Sequence, residues 1–264
     1  LQITKGAGSV INGYESMTGQ INSELKKPLS SERLFLNFFR SFESRNELNV
    51  HTKANLSNKW SANLFVHYNE LIERNDKNDD KFLDMPISDQ LNILTRFQYL
   101  NTEKGWVSFF NIRMLHDNKL FGQTTYNPKI HKNTTAVWGS EMLTKRYETS
   151  LKIGYVFPEL PYQSFGVQLS YSDHNQQSYY GLRAYDIRHK SMFSNMIFNS
   201  VLSNTLHKFK TGLQFAYDQY DETVDVQSAN RTDSSVGAFF EYSYDSLERL
   251  RMVLGLRFVA STCA

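Results

Sequence analysis

A single cysteine, Cys263, rules out a disulfide within the chain and any metal site built on cysteine pairs. No apolar run approaches the ~18–20 residues that a membrane helix needs. Neither sign of charge dominates. The 29 basic and 27 acidic residues leave a net charge of +2, which argues against a nucleic-acid partner, because phosphate-backbone binders carry a basic excess. Proline is scarce, at 5 residues. The signatures of serine hydrolases, P-loops, dinucleotide folds and catalytic cysteines are all missing. His51, His67, His116, His131, His174, His189 and His207 form no HxxxH or HExxH spacing. Enzymatic activity is therefore not expected.

What is present is aromatic and periodic. Hydrophobic content is only 40%, yet 14% of residues are aromatic, with 15 Tyr and 19 Phe. That combination fits a tyrosine-rich soluble β-protein. It equally fits a membrane β-barrel, whose strands alternate apolar and polar residues so that no window looks hydrophobic. The alternation is explicit. Over 47–57, Leu48, Val50, Thr52, Ala54 and Leu56 oppose Glu47, Asn49, His51, Lys53, Asn55 and Ser57. Over 60–69, Trp60, Ala62, Leu64, Val66 and Tyr68 oppose Ser61, Asn63, Phe65, His67 and Asn69. Period two of this kind marks a strand with one wet face.

Similar segments at 32–42, 89–100, 105–117, 134–143, 146–157, 163–174, 189–203, 207–221, 234–245 and 249–258 bring the expected total to about twelve strands. Many are near the ~9–11 residues that cross a bilayer at a tilt, whereas soluble strands cluster nearer ~5–6. Length thus favours a membrane barrel. Ser57-Asn58-Lys59, Asn101-Thr102-Glu103-Lys104 and Ser203-Asn204-Thr205 read as tight turns, while 75–88, 118–133, 174–188 and 222–233 read as long polar loops. Short turns at one end and long loops at the other describe an outer-membrane barrel. The alternation of ends fails at one place: 144–145 and 158–162 are both short and fall at opposite ends. Trp60, Trp106, Tyr179, Tyr180, Tyr242 and Tyr244 near strand ends suggest interfacial girdles.

The stretch before the strands is different. From Gln2 to Asn22 it reads as two short strands around a glycine-rich turn. Ile3, Lys5 and Gly6, then Gly13, then Gly19, Ile21 and Asn22, resemble the closing motif of the plug domain in TonB-dependent outer-membrane receptors, in the Bacteroidota-type wording. Ala7 stands where the family has proline, and Gln20 where it has a second glycine. Lys81-Phe82-Leu83-Asp84-Met85-Pro86 and Gly154-Tyr155-Val156-Phe157-Pro158 are similar to barrel segments of these receptors.

The resemblance implies an all-β chain: a partial antiparallel transmembrane β-barrel, about 12 of 22 strands, preceded by the C-terminal end of a plug. Residues 1–28 would be the plug end and 29–264 the first part of the barrel. Lys5, Gly6, Gly13, Tyr14, Gly19, Gln20 and Asn22 would tie plug to barrel. The start at Leu1, without Met or signal sequence, suggests an internal fragment of a longer receptor. The location implied is the outer membrane of a Gram-negative bacterium. The partners implied are the lipid bilayer, TonB (through a segment preceding Leu1) and a small-molecule or metal-chelate ligand. Uptake of a bulky scarce nutrient such as a ferric siderophore is the expected activity. A passive porin-like barrel and a soluble carbohydrate-binding β-protein are the alternatives.

One further constellation stands apart. Asp76, Asn78, Asp80 and Asp84 place oxygens at alternate positions, as a calcium loop does. The EF-hand glycine and glutamate are replaced by Lys81 and Ile87, so a solvated polar loop is the simpler expectation and structural calcium the sharper one. His131 and His174, in expected loops, are candidates for gripping a metal chelate.

Overall fold

The computed structural model describes residues 1–6, 8–13, 18–246 and 250–263. Strands β1 (Gln2–Lys5) and β2 (Gly19–Asn22) pair antiparallel as a hairpin, with 3-10 turns at Val10–Asn12 and Pro28–Ser30. The large strands follow: β3 (Leu34–Arg40), β4 (Arg45–Asn55), β5 (Trp60–Leu71), β6 (Ile87–Asn101), β7 (Trp106–Gly122) and β8 (Gly139–Val156). Then come β9 (Ser164–Tyr180), β10 (Arg183–Leu202), β11 (Asn204–Val224), β12 (Gln227–Asp245) and β13 (Arg251–Cys263). A short helix, Pro128–His131, interrupts the loop between β7 and β8. Each strand from β3 to β13 pairs only with its sequence neighbours, making one antiparallel meander of 11 strands with β3 and β13 at its edges. The sheet is not closed into a barrel.

The expected count of about twelve strands becomes eleven because 134–143 and 146–157 are not two strands. They fuse into β8, which pairs without interruption against β7 and β9. Thr144 and Lys145 look like a polar turn, but they are mid-strand residues facing opposite sides. With that merger the turns alternate ends without exception. At one end lie the short connections 56–59, 102–105, 157–163, Ser203 and 246–250; at the other lie 41–44, 72–86, 123–138, 181–182 and 225–226. The expected loops 174–188 and 222–233 are also corrected. They are outer extensions of β9–β12, turning at Gly181-Leu182 and Asp225-Val226. The strand expected to end at 258 runs on to Cys263.

The paired registers carry one irregularity, between Val201 and Leu202, so alternation assigns the residues of each strand to two faces. One face is apolar through the middle of the sheet. It carries Trp60, Ala62, Leu64, Val66 and Tyr68 on β5, then Tyr147, Thr149, Leu151, Ile153 and Tyr155 on β8. Phe209, Thr211, Leu213, Phe215 and Tyr217 on β11, and Met252, Leu254, Leu256 and Phe258 on β13, continue it. Aromatics mark both margins. Toward the short turns, Trp60 packs tilted against Tyr99 with ring centres 5.1 Å apart and Trp106 likewise against Tyr155 at 4.7 Å; toward the loops stand Tyr68, Tyr147, Tyr171 and Tyr217. From Tyr147 to Tyr155 the band has the height of a tilted bilayer crossing. Beyond it, β8–β12 continue with polar residues on both faces.

The opposite face is polar: Asn49, His67 and Asn92 lie in one row across β4–β6, and Arg113, Glu148 and Ser172 in the adjacent row across β7–β9. Burial follows this inversion. Among the described residues, the buried hydrophobic side chains are Leu71, Tyr126, Tyr179 and Phe239, while Asn63, Arg96, Gln98, Asn195 and Glu241 are buried polar ones. Leu213, Val236, Leu254 and Leu256, by contrast, are more than half exposed. Among the described residues no second sheet covers the apolar face, since all eleven large strands lie in one sheet.

Candidate functional site

The N-terminal segment lies across the polar face. Its hairpin pairs Lys5 with Gly19, Thr4 with Gln20 and Gln2 with Asn22. Gly6, at φ +83°, turns the chain out of β1, and its N–H donates to the Thr18 carbonyl at 3.4 Å. The Asn12 amide donates to Gln20 Oε1 at 2.8 Å, linking the 3-10 turn to β2. Of the residues expected to tie this segment to the sheet, Lys5, Gly6, Gly19, Gln20 and Asn22 build the hairpin. Gly13 lies beside Gln214 and Arg257 of the sheet. Tyr14 lies outside the described residues.

The side chains that hold the segment belong to the sheet. Arg257 on β13 donates through Nη1 to the Val10 carbonyl and through Nη2 to Gln214 Oε1, both at 2.8 Å. The Ser9 hydroxyl donates to Glu241 on β12, and Lys210 on β11 approaches the same carboxylate at 3.4 Å. Gly255 leaves the floor bare beneath Val10: a Cβ there would stand 2.5 Å from Val10 Cγ1. At the other end of the crossing, Asn63 on β5 donates to Ser31 Oγ at 2.8 Å and the Ser31 hydroxyl donates to the Lys27 carbonyl at 2.8 Å. Pro28 is buried against this end. The described residues of this segment thus reach from β13, at Val10, to β5, at Ser31, on the polar face.

Between this segment and the wall lies a hollow of about 600 Å³, lined by Leu25, His51, Phe65, His67, Arg113 and Glu148 among others. His67 Nδ1 and Asn49 Oδ1 are 2.7 Å apart, and Arg113 donates to Asn92 at 3.1 Å and Glu148 at 3.2 Å. Several buried acceptors on this face, Asn63 Oδ1, Gln98 Oε1, Asn111 Oδ1 and Asn195 Oδ1, have no hydrogen-bond partner among the described residues. Buried polar atoms are rarely left so in a finished interior, so this wall is chemically suited to receive further polar protein surface or ligand.

At the loop end the connections lock together on the side of the apolar face. The Tyr126 and Tyr179 hydroxyls are 2.8 Å apart, Tyr179 donates to Glu141 at 3.3 Å, and Lys132 sits 4.5 Å over the Tyr179 ring. Burial, then the Tyr126 hydroxyl and the Glu141 charge, push the Tyr179 phenol well above the usual tyrosine range. His131 belongs to the short helix here, where its Nδ1 accepts from the Asn127 N–H at 3.0 Å. His174 is not in a loop but on β9, paired in register with His189 on the polar face.

The candidate calcium oxygens close a turn. Asp76 accepts from the backbone N–H groups of Asp80 at 3.1 Å and Lys81 at 2.9 Å; Asp80 accepts from Phe82 N–H at 2.8 Å, and Asp84 from Lys77 N–H at 2.9 Å. Among the described residues no group of three or more His, Cys, Asp or Glu side chains is placed to hold a metal ion.

Comparison of the chain with protein-family models, curated proteins and solved structures finds no match. The functional reading therefore rests on the geometry. The residues that carry the docking, Arg257, Gln214, Glu241, Gly255 and Asn63, escaped the sequence reading. Each is one inward-facing position in an ordinary alternating strand, and only the Gly255-x-Arg257 pair, a gap beside a charge, hints at a neighbouring element.

Proposed function

We propose that this chain is part of a TonB-dependent outer-membrane receptor, with the N-terminal segment as the end of its plug and the sheet as part of its barrel wall. One observation carries the reading: a segment is docked by specific side chains onto the polar face of a sheet whose other face carries a largely apolar band. A soluble protein rarely leaves a contiguous apolar patch beyond a few hundred Å² uncovered. A lipid-facing wall requires one. The inward polar face is what a barrel lumen presents, and the unpartnered acceptors on it suit contact with a plug body.

In this reading the sheet edges β3 and β13 are paired by further strands, because lipid cannot satisfy an open row of backbone N–H and C=O groups. Opening the lumen needs the plug to move against contacts such as Arg257 to Val10. That takes mechanical work and no covalent chemistry, which suits energy delivered by TonB from the inner membrane. A bulky, scarce ligand such as a ferric siderophore is the expected cargo. A passive porin is the weaker reading, since it has no use for a segment pinned across its lumen.

The test is cellular. The tagged chain in its native host is expected to fractionate with the outer membrane, and uptake of the cognate metal chelate is expected to vanish on deleting either the chain or TonB. Uptake that persists without TonB would replace the receptor by a passive channel. Fractionation with soluble protein, without detergent, would remove the membrane reading.

A further inference from the structure

On the apolar face, at the loop-end margin of the band, β6, β7 and β8 enclose a crevice of about 310 Å³. Leu91, Ile93, Met114 and Tyr147 form its walls, and Lys145 and His116 stand at its upper end. We propose that this crevice holds an acyl chain of a phosphorylated lipid from the outer leaflet, with Lys145 and His116 meeting the headgroup phosphate. The inference rests on the outer-membrane reading above and adds a specific lipid site to it.

Three observations point to this occupant. First, the crevice opens from the apolar band and shares its walls, so a chain lying along the band enters it without leaving an apolar surface. Second, Lys145 is one alternation beyond Tyr147 on the same face, about 6.6 Å along the strand. That places its ammonium at headgroup level if the tyrosine row marks the interface. Third, the charge there is uncommitted. Lys145 is exposed and makes no ion pair among the described residues, and His116 faces it directly in register. The carboxylate diagonal to Lys145 on this face, Asp173, is held by Arg188 through bonds of 3.1 and 2.7 Å. His116 and Lys145 form the basic pair of one row across β7 and β8, while Lys190 on β10 lies in the neighbouring row and faces Asp173 instead. A phosphate is the group such a row attracts.

The experiment places photoactivatable p-benzoylphenylalanine at position 147, and separately at position 213 in the middle of the band, in the full membrane-inserted chain. The vesicles contain equimolar phosphatidic acid and phosphatidylcholine, and adducts are identified by mass spectrometry. One basic residue near the surface is worth about 1 kcal/mol toward an anionic lipid, so roughly a five-fold preference for phosphatidic acid is expected at 147. Position 213 is expected to show none. Lys145→Gln is expected to bring the ratio at 147 close to one, His116→Gln to lower it partway, and Lys145→Arg to keep it. Equal adducts of both lipids at 147 in the otherwise unchanged chain overturn the inference, as does a preference that survives Lys145→Gln. Lipid adducts at neither position would instead overturn the membrane reading on which it rests.

Discussion

Replacing Arg257 by alanine is the most direct way to ask whether the N-terminal segment is held by the sheet or merely lies on it. Arg257 supplies two charge-assisted hydrogen bonds, to the Val10 carbonyl and to Gln214. Only the first is lost between segment and sheet; the second fixes the guanidinium in place. Bonds to charged groups are worth about 1.5–3 kcal/mol each. Because Arg257 is only part-buried, the loss of segment docking is placed in the lower half of that range, at about 1.5–2 kcal/mol. At 1.4 kcal/mol per decade, that raises the population of the undocked segment by between roughly 10- and 30-fold. Hydrogen exchange at Ile11 and Asn12 reads this directly, because both N–H groups bond within the turn that Ser9 and Val10 organise. Exchange there is expected to accelerate by that factor in Arg257→Ala. Arg113→Ala, which breaks bonds to Asn92 and Glu148 on the same face, is expected to leave Ile11 and Asn12 unchanged. Equal exchange in Arg257→Ala and the parent chain would show that the segment is held by something other than the sheet. Equal acceleration in both variants would show a general loosening rather than a specific dock.

The other expectations are briefer. Gly255→Ala sets a Cβ 2.5 and 2.9 Å from the two Val10 methyls; overpacking of this kind costs about 1–3 kcal/mol, exchange at Ile11 should rise, and Val10→Ala should reverse part of it. Leu213→Arg, at a band position 55% exposed, is expected to cost about 2–4 kcal/mol in reversible unfolding from vesicles, and no cost there would mean that the band does not face lipid. Asp80→Ala removes the acceptor for Phe82 N–H; faster exchange at Phe82, by the same factor with calcium or with a chelator, is expected, and calcium-dependent protection in the parent chain would restore the metal reading. The Tyr179 phenol is held neutral by burial and by Tyr126, so its folded pKa lies above its unfolded one. The stability it lends the 123–138 loop is therefore present below about pH 10 and falls as pH rises past it. Proteolysis of that loop should increase above that pH, and Tyr179→Phe should weaken the dependence.

The alternating strands were legible because the middle of this sheet has one wet and one apolar face, and period two records that contrast. Over β5 the sequence pattern and the register agree residue by residue. The pattern fails where the contrast vanishes. On β9, Asp173, Asn175 and Gln177 face one side and His174, Gln176 and Ser178 the other. Over 222–233, nearly all residues on either face are polar. Beyond the band both faces are wet, so composition there is that of a loop even though the backbone stays paired. The same blindness divided β8 at Thr144-Lys145. There the register, not the side chains, decides: Thr144 pairs with Asp117 and Lys145 with His116 in an unbroken ladder.

The docking contacts were hidden for a different reason. A hairpin's glycines announce themselves, because positions such as Gly6 and Gly13 need a positive φ that other residues resist. The receiving side has no such mark. Arg257 occupies an inward position where the lumen face of a barrel would carry a charge in any case, and its relation to Val10 spans most of the chain. What identifies it is the company of small residues: Gly255 beneath Val10, and Gly237, where a Cβ would meet Arg257 Nη2 at 2.9 Å. Two glycines on adjacent strands are a standing cost in a sheet, where they weaken packing. They are understandable only if another element occupies the space they leave. The N-terminal segment, recognised by its own glycines, is thus one half of an interface whose other half is written in β12 and β13.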